Sequence, residues 1–424
     1  MVLIYSANMK IINFKYQFLL VVIGLVWINL FDFLLQLSLQ NTICNDATNY
    51  VEAATMLFQN GQTHYFRPSV LAFFHGIPFL FGVENIVEIY AFSYYLNILC
   101  WLGFSLVFYK MITHFFSPEK SFVIALCPLF FFGSISLIFQ ALSENVFMFL
   151  LICAFFNLSK FYKSHKYFNL SIAISLFIIA ILVRPGIMFF TILIIVFFIK
   201  TIFQNLNHKA NIIMLFAISL FVLHGLGMKK QYGNFAISHI DSYTYYNYLG
   251  TRADFLQTNS IFNQGNTTRN QFMMSHKYSE FTQIARQNFF NQLKNNSINL
   301  FKAYFYNIIE NTKTGSTGIY ELINVKKSGA FNGLKYFFAT ASKWQNRICT
   351  IVGFFLSIYI FRVTFMKRNV MFFISLFILY TIATSAVSCC QGDRFHVIFF
   401  PFVVLLAMHY LNGTVKLLSE PLQK

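Results

Sequence analysis

Successive apolar runs, each close to the length that crosses a bilayer, constrain this chain more than any other feature. A hydrocarbon core about 30 Å thick takes roughly 20 residues of helix. Ten such runs fall near 17–39, 89–109, 121–140, 143–159, 168–183, 186–204, 211–228, 348–366, 370–388 and 395–411. The stretch 121–159 is almost continuous, broken only at Gly133-Ser134 and Ser143-Glu144. The chain is 57% hydrophobic and only 11% charged, against roughly a quarter charged in soluble domains. Its 57 phenylalanines exceed what one aqueous core could bury. A soluble enzyme, a disordered chain and a nucleic-acid reader are excluded. The net charge of +17 needs no nucleic acid to explain it, because membrane proteins concentrate lysine on one side. The fold class expected is an all-α polytopic membrane protein. It would have about ten transmembrane helices, outer-face amphipathic helices and a large, partly helical extracytoplasmic loop.

The first run is too long for a signal peptide, and no small-residue cleavage site follows it. Seven cysteines in 424 residues, with no CxxC pair, make neither a disulfide scaffold nor a metal motif. The chain divides into a transmembrane module at 1–228, which includes a first loop at 40–88, a large loop at 229–347, and C-terminal helices at 348–424.

Charge sets the orientation. With the N-terminus in the cytoplasm and ten alternating spans, the cytoplasmic segments hold Lys10, Lys15, Lys110, Lys120, Lys160, Lys163, Lys166, Lys200, Lys209, Arg362, Lys367, Arg368, Lys416 and Lys424. Their only acids are Glu119 and Glu420. The short outer segments carry Arg67, Arg184 and Arg394 and no lysine. This is the positive-inside pattern, from which the large loop is exempt by its length. The same placement puts Asp46, Glu52, Glu84, Glu88, Glu144 and Asp393 on short outer segments, and Asp241, Asp254, Glu280, Glu310 and Glu321 in the large loop. Chemistry is expected on the extracytoplasmic side of a cell inner (plasma) membrane. Asp32 is the one charge inside a span, near its outer end, where snorkelling would accommodate it.

The first loop carries helical periodicity at Tyr50, Ala53, Ala54, Leu57 and Phe58, with Gly61 as a stop. Pro68 then opens an apolar stretch to Gly82. Two amphipathic helices lying on the outer leaflet fit this pattern. The large loop is Asn-rich and aromatic, notably at Tyr243–Tyr248. Phe281, Ile284, Phe289, Leu293 and Leu300 form a rough apolar stripe.

Five outer features carry candidate chemistry, each with a structural alternative. Asp46, after Asn45, could deprotonate a hydroxyl or hold a divalent cation, or simply cap a helix. Arg67, in His64-Tyr65-Phe66-Arg67-Pro68, could grip a phosphate in a forked geometry, or anchor the interface. Glu144, in Leu142-Ser143-Glu144-Asn145, places a carboxylate against an apolar wall, or follows Ser143 as helix cap. Arg184, in Leu182-Val183-Arg184-Pro185-Gly186, is the one polar side chain where two spans meet. Turn chemistry explains Pro185 and Gly186 but not the arginine. Asp393 and Arg394, in Gln391-Gly392-Asp393-Arg394-Phe395-His396, open the last span as a further anion contact or as a mutually neutralised pair. Together these suit a ligand with an anionic head and a long apolar tail.

The ordered set resembles the GT-C superfamily of polyprenyl-phosphate-sugar-dependent glycosyltransferases, nearest the branch of protein O-mannosyltransferases and lipid A aminoarabinose transferases. It comprises the first span, Asp46, Tyr50, Ala54, Gly61, Arg67-Pro68, Ser143-Glu144, Arg184-Pro185, a large outer loop, and Asp393-Arg394-Phe395 before a Pro-containing last span. The resemblance implies sugar transfer from a polyprenyl-phosphate donor to a lipid, glycan or protein acceptor. Asp46 and Glu144 would be the catalytic acids. Arg67, Arg184 and Arg394 would meet the donor phosphate, with Tyr50, Glu52 and Asp393 also assigned to substrate. Many members carry two adjacent acids in the first loop, whereas here Asp46 follows Asn45 and the next acid is Glu52. The base, and a divalent cation on Asp46, therefore stay open. The competing class is a polymerase, flippase or transporter of lipid-linked saccharides. Transporters tend to show repeated halves and midplane charges, which this sequence does not show clearly. Cys44 is placed to pair with Cys389 or Cys390 in an oxidising compartment.

Overall fold

The computed structural model describes residues 2–40, 44, 46–262 and 267–419, so Asn45, Glu420 and Lys424 lie outside it. Among the described residues every regular element is helical. Seven helices are long and apolar enough to cross a membrane, or eight if one bent pair counts as a single span. The chain is a multi-pass helical membrane protein.

All ten apolar runs are helical, but not all are full spans. The seven long ones are Ile12–Leu35, Ile86–Ile112, Glu144–Ser164, Pro185–Gln204, Asn211–Tyr232, Phe331–Thr364 and Asp393–Gly413. The run expected at 121–140 is split into Pro118–Phe130 and Phe132–Phe139, bent by 60°. Pro128 and an extended Phe131 interrupt its hydrogen-bond ladder. The runs at 168–183 and 370–388 form shorter helices, Tyr167–Ile181 and Val370–Ser385.

In chain order the elements that build the site are α1 (Val2–Leu35), α2 (Asp46–Asn60), α3 (Ser69–Gly76), α4 (Ile86–Ile112), α5 (Pro118–Leu126), α6 (Phe132–Ser136), α7 (Glu144–Ser164), α8 (Tyr167–Ile181), α9 (Met188–Gln204) and α10 (Asn211–Tyr232). Helices α2 and α3 pack on each other, as the first loop's periodicity requires. Residues 165–166 alone join α7 to α8, so the two are antiparallel neighbours. The start of α7 therefore lies beside the end of α8.

The large loop folds into α11 (Ile240–Thr244), α12 (Thr251–Gln257), α13 (Thr267–Met274), α14 (Phe281–Asn295), α15 (Ser297–Lys313) and α16 (Thr317–Tyr320). It has two small cores of its own. One joins Leu249, Ala253, Leu300 and Ala303, and the other joins Met273 and Phe281 with Phe66 from the first loop. The expected stripe is split: Phe281 and Leu300 are buried, while Phe289 and Leu293 are exposed. The boundary expected at 347/348 falls inside one continuous helix, α17 (Phe331–Thr364), followed by α18 (Val370–Ser385) and α19 (Asp393–Ser419).

Phenylalanine rings hold the bundle beneath the site. Phe155 meets Phe177 at 5.4 Å, Phe377 at 5.6 Å and Phe402 at 4.9 Å, which joins α7, α8, α18 and α19. Such pairs add about 0.5–1.5 kcal/mol each beyond their buried area. Asp32 lies in the last turn of α1, where its two oxygens accept from the Ser38 amide at 2.7 Å and the Ser38 hydroxyl at 2.8 Å.

Candidate active site: an alternating chain of arginines and carboxylates

Helix ends bring the site together. The turn before α7 is fixed from two sides. Asn97 donates to the Ile138 and Gln140 carbonyls, and the Gln140 side chain joins the Gln40 carbonyl to the Cys44 amide. Asp46 thus begins α2 next to Glu144 at the start of α7. Acids in a first helical turn also meet the positive end of the helix dipole. Arg184 leaves the end of α8 just as Pro185 starts a new turn. Arg394 sits in the first turn of α19. The link before it is held by α15: Asn311 donates to the Ser385 and Ser388 carbonyls and accepts from the Gln391 amide.

The result is an unbroken chain of opposite charges. Arg67 donates to Asp46 Oδ1 at 2.7 Å, and Arg394 donates to Asp46 Oδ2 at 2.5 Å. The Nε of Arg394 donates to Glu144 Oε1 at 2.6 Å, where Arg184 also donates at 3.1 Å. Ser143 occupies the N-cap position of α7 without a capping side-chain hydrogen bond; its hydroxyl donates to the other Glu144 oxygen at 3.3 Å. Three guanidiniums face two carboxylates, so the chain carries one surplus positive charge. Glu144 is fully buried, whereas the Asp46 side chain is 35% exposed.

Tyr50 braces Arg67, with its ring 4.4 Å from the guanidinium and its hydroxyl accepting at 3.4 Å. His64 shapes the turn that delivers Arg67: its Nδ1 accepts from the amides of Phe66 at 3.0 Å and Arg67 at 3.1 Å. Burial and then the Arg67 charge push the His64 pKa down to about 3, so the ring is a neutral acceptor. Burial alone would raise the pKa of Asp46. Arg394 and Arg67 outweigh that and hold its carboxyl well below the usual range.

Two cavities meet at this chain. The larger, about 760 Å³, is lined by Arg67, Arg184 and Arg394 together with apolar groups such as Met188, Phe189 and Phe395. The second, about 540 Å³, mixes lysines and acids, with Glu310, Glu321, Lys313 and Lys343 in its wall beside Thr317 and Tyr320. Asp46, Gln391 and Arg394 line both. Asp46, Tyr50, Arg67, Glu144, Arg184 and Arg394 are therefore gathered in one place. Glu52 is not: it lines neither cavity and stands 3.8 Å from His64 Nε2. Asp393 also stays out. It is fully buried against Gly133, where a β-carbon would overlap it.

The sequence reading did not single out Asp241, which enters the larger cavity with Tyr243, Thr244 and Tyr248. The first loop draws it there: His239 donates its amide to the Tyr65 carbonyl at 3.0 Å, and Ser238 its hydroxyl to the Phe66 carbonyl at 2.8 Å. Asp241 is exposed in this cavity and makes no ion pair among the described residues. The tyrosine-rich run that follows it was the only sequence signal. Tyr246 of that run carries Arg269 on its ring at 3.8 Å.

The donor set does not suit a divalent cation. Both Asp46 oxygens are taken by guanidiniums whose charge opposes a metal, and among the described residues no three His, Cys, Asp or Glu side chains group as metal ligands. Cys44, Cys389 and Cys390 are free thiols, so the expected pairing is not made.

No family model, no curated protein and no solved structure matches this chain.

Proposed function

We propose that this protein is a membrane glycosyltransferase of GT-C type that moves a sugar from a polyprenyl-phosphate donor to an acceptor at the extracytoplasmic face of the plasma membrane. The observation that carries the reading is the position of Asp46 and Arg394 in the wall shared by two cavities, one holding three arginines beside Met188 and Phe189, the other holding lysines and acids. The three-arginine cavity suits a lipid phosphate. Guanidiniums grip its oxygens, and the apolar wall accepts the first isoprene units, each buried CH2 contributing about 0.8 kcal/mol. The second cavity suits a hydroxyl-bearing acceptor. Asp241 stands in the donor cavity as a hydrogen-bond acceptor for the sugar. Lysines gathered on the opposite loops support the assignment of sides.

In the resting chain Asp46 is a poor base, because two arginines stabilise its charge. An arriving phosphate competes for Arg67 and Arg394 and releases the carboxylate. The acceptor oxygen then attacks the anomeric carbon and its proton passes to Asp46. The bond from that carbon to the phosphate oxygen breaks, and the electron pair leaves with the polyprenyl phosphate. The arginines stabilise that leaving charge.

Purified protein given a radiolabelled polyprenyl-phosphate sugar and an acceptor mixture tests this. Wild type should transfer or release sugar, and Asp46→Asn and Arg184→Ala should not. Lengthening or movement of lipid-linked oligomers without sugar release from the monophosphate donor would refute it in favour of a polymerase or flippase.

A further inference from the structure

A third cavity, about 590 Å³, continues from the second. Glu310 and Cys390 line both, and Arg252, Phe255 and Tyr306 complete its wall. Arg252 is 7% exposed, yet its guanidinium donates no hydrogen bond and makes no ion pair among the described residues. Among the described residues its Nε is buried without a hydrogen-bond partner, and its one ring contact is with Phe262 at 4.2 Å. Glu310 shares the cavity but does not close a salt bridge onto it. Burying a charge without a partner is costly. By contrast Arg67, Arg184 and Arg394, which line the larger cavity, are each paired with a carboxylate.

We infer that Arg252 is an anion subsite for an elongated acidic oligosaccharide acceptor, whose reacting end lies at Asp46 and whose body runs through the second cavity into the third. This role as acceptor rests on the transferase reading above. The connecting cavity offers both charge and hydroxyl contacts. Lys313 and Lys343 make no ion pair among the described residues, Glu310 and Glu321 stand in the same wall as acceptors for sugar hydroxyls, and the Tyr320 ring, 66% exposed, lies 5.8 Å from Lys343 Nζ.

The test is equilibrium binding to the full chain in nanodiscs, with three probes: a short oligogalacturonate, its methyl ester, and polyprenyl phosphate. Wild type should bind the acid at least about tenfold more tightly than the ester, the worth of one charge-assisted contact. Arg252→Gln should lower affinity for the acid by about tenfold and leave the ester and polyprenyl phosphate unchanged. Lys343→Gln, read alongside the melting temperature, guards against a folding artefact and should weaken the acid alone. Equal affinity for acid and ester, no binding of either, or acid binding indifferent to Arg252→Gln overturns the inference. If the acid behaves as expected while polyprenyl phosphate does not bind, the anion subsite stands and the transferase reading fails.

Discussion

Asp46 and Arg394 are 348 positions apart in the chain, yet a carboxylate oxygen of one accepts from the guanidinium of the other at 2.5 Å. Arg394 also holds Glu144, so a single side chain ties the starts of three helices, α2, α7 and α19. A donor phosphate must enter this network by displacing a carboxylate from its arginines.

Asp46→Asn should therefore separate binding from turnover. Removing the competing charge strengthens the hold of Arg67 and Arg394 on phosphate, so polyprenyl phosphate should bind as tightly as in wild type or more so. Loss of the base should lower the transfer rate by about 100-fold or more. Parallel binding and rate measurements check this, and a loss of binding that accompanies the loss of rate would contradict it.

Glu144 is a buried charge with two cationic partners. Glu144→Gln leaves those arginines under-neutralised and should destabilise the protein by about 3–5 kcal/mol. Arg184→Gln should cost less when added to Glu144→Gln than when made alone. A double-mutant cycle from denaturant unfolding in detergent reads the coupling, and strict additivity would mean that the pair contributes nothing.

Gly133 lets the broken α5–α6 segment approach α19. A β-carbon at that position would overlap Asp393. Gly133→Ala should shift the first turn of α19 and displace Arg394 from Asp46. Overpacking of this kind costs about 1–3 kcal/mol, and transfer should fall further than that stability loss explains. Melting curves and initial rates on the same preparation test it.

Acid should destabilise the protein through buried histidines, among them His64, His75 and His239. His64 is pushed down to about 3, by burial and Arg67, and His239 to about 4, by burial. Unfolded, both take a proton near pH 6.5. Between that pH and their folded values the unfolded state binds more protons, so stability falls as pH falls, by about 1.4 kcal/mol per pH unit for each group. Asp46 adds little to the loss there, because an unfolded aspartate takes its proton only near pH 3.9; the stability from its lowered folded pKa is lost as pH falls below that. His64→Gln should flatten the melting temperature against pH between about 6.5 and 4; an unchanged slope would show that other groups govern it.

The sequence by itself determined the class. Runs of apolar residues near bilayer length can satisfy their backbone only as helices, and all ten are helical. It also fixed most of the charged residues that gather, because a solitary arginine between apolar spans has few structural uses. Tertiary structure decided the rest. Whether 121–140 crosses straight or bends depends on packing at Pro128 and Phe131, and apolar content alone is blind to that. Glu52 and Asp393 share the sequence character of Asp46 and Glu144, yet one turns to His64 and the other is buried against Gly133. Helix phase and neighbour shape, not residue type, make the difference. Asp241 and Arg252 acquire their places only because the large loop folds back on the first loop and the α18–α19 link. Contacts between such distant segments leave no local pattern for a sequence to display.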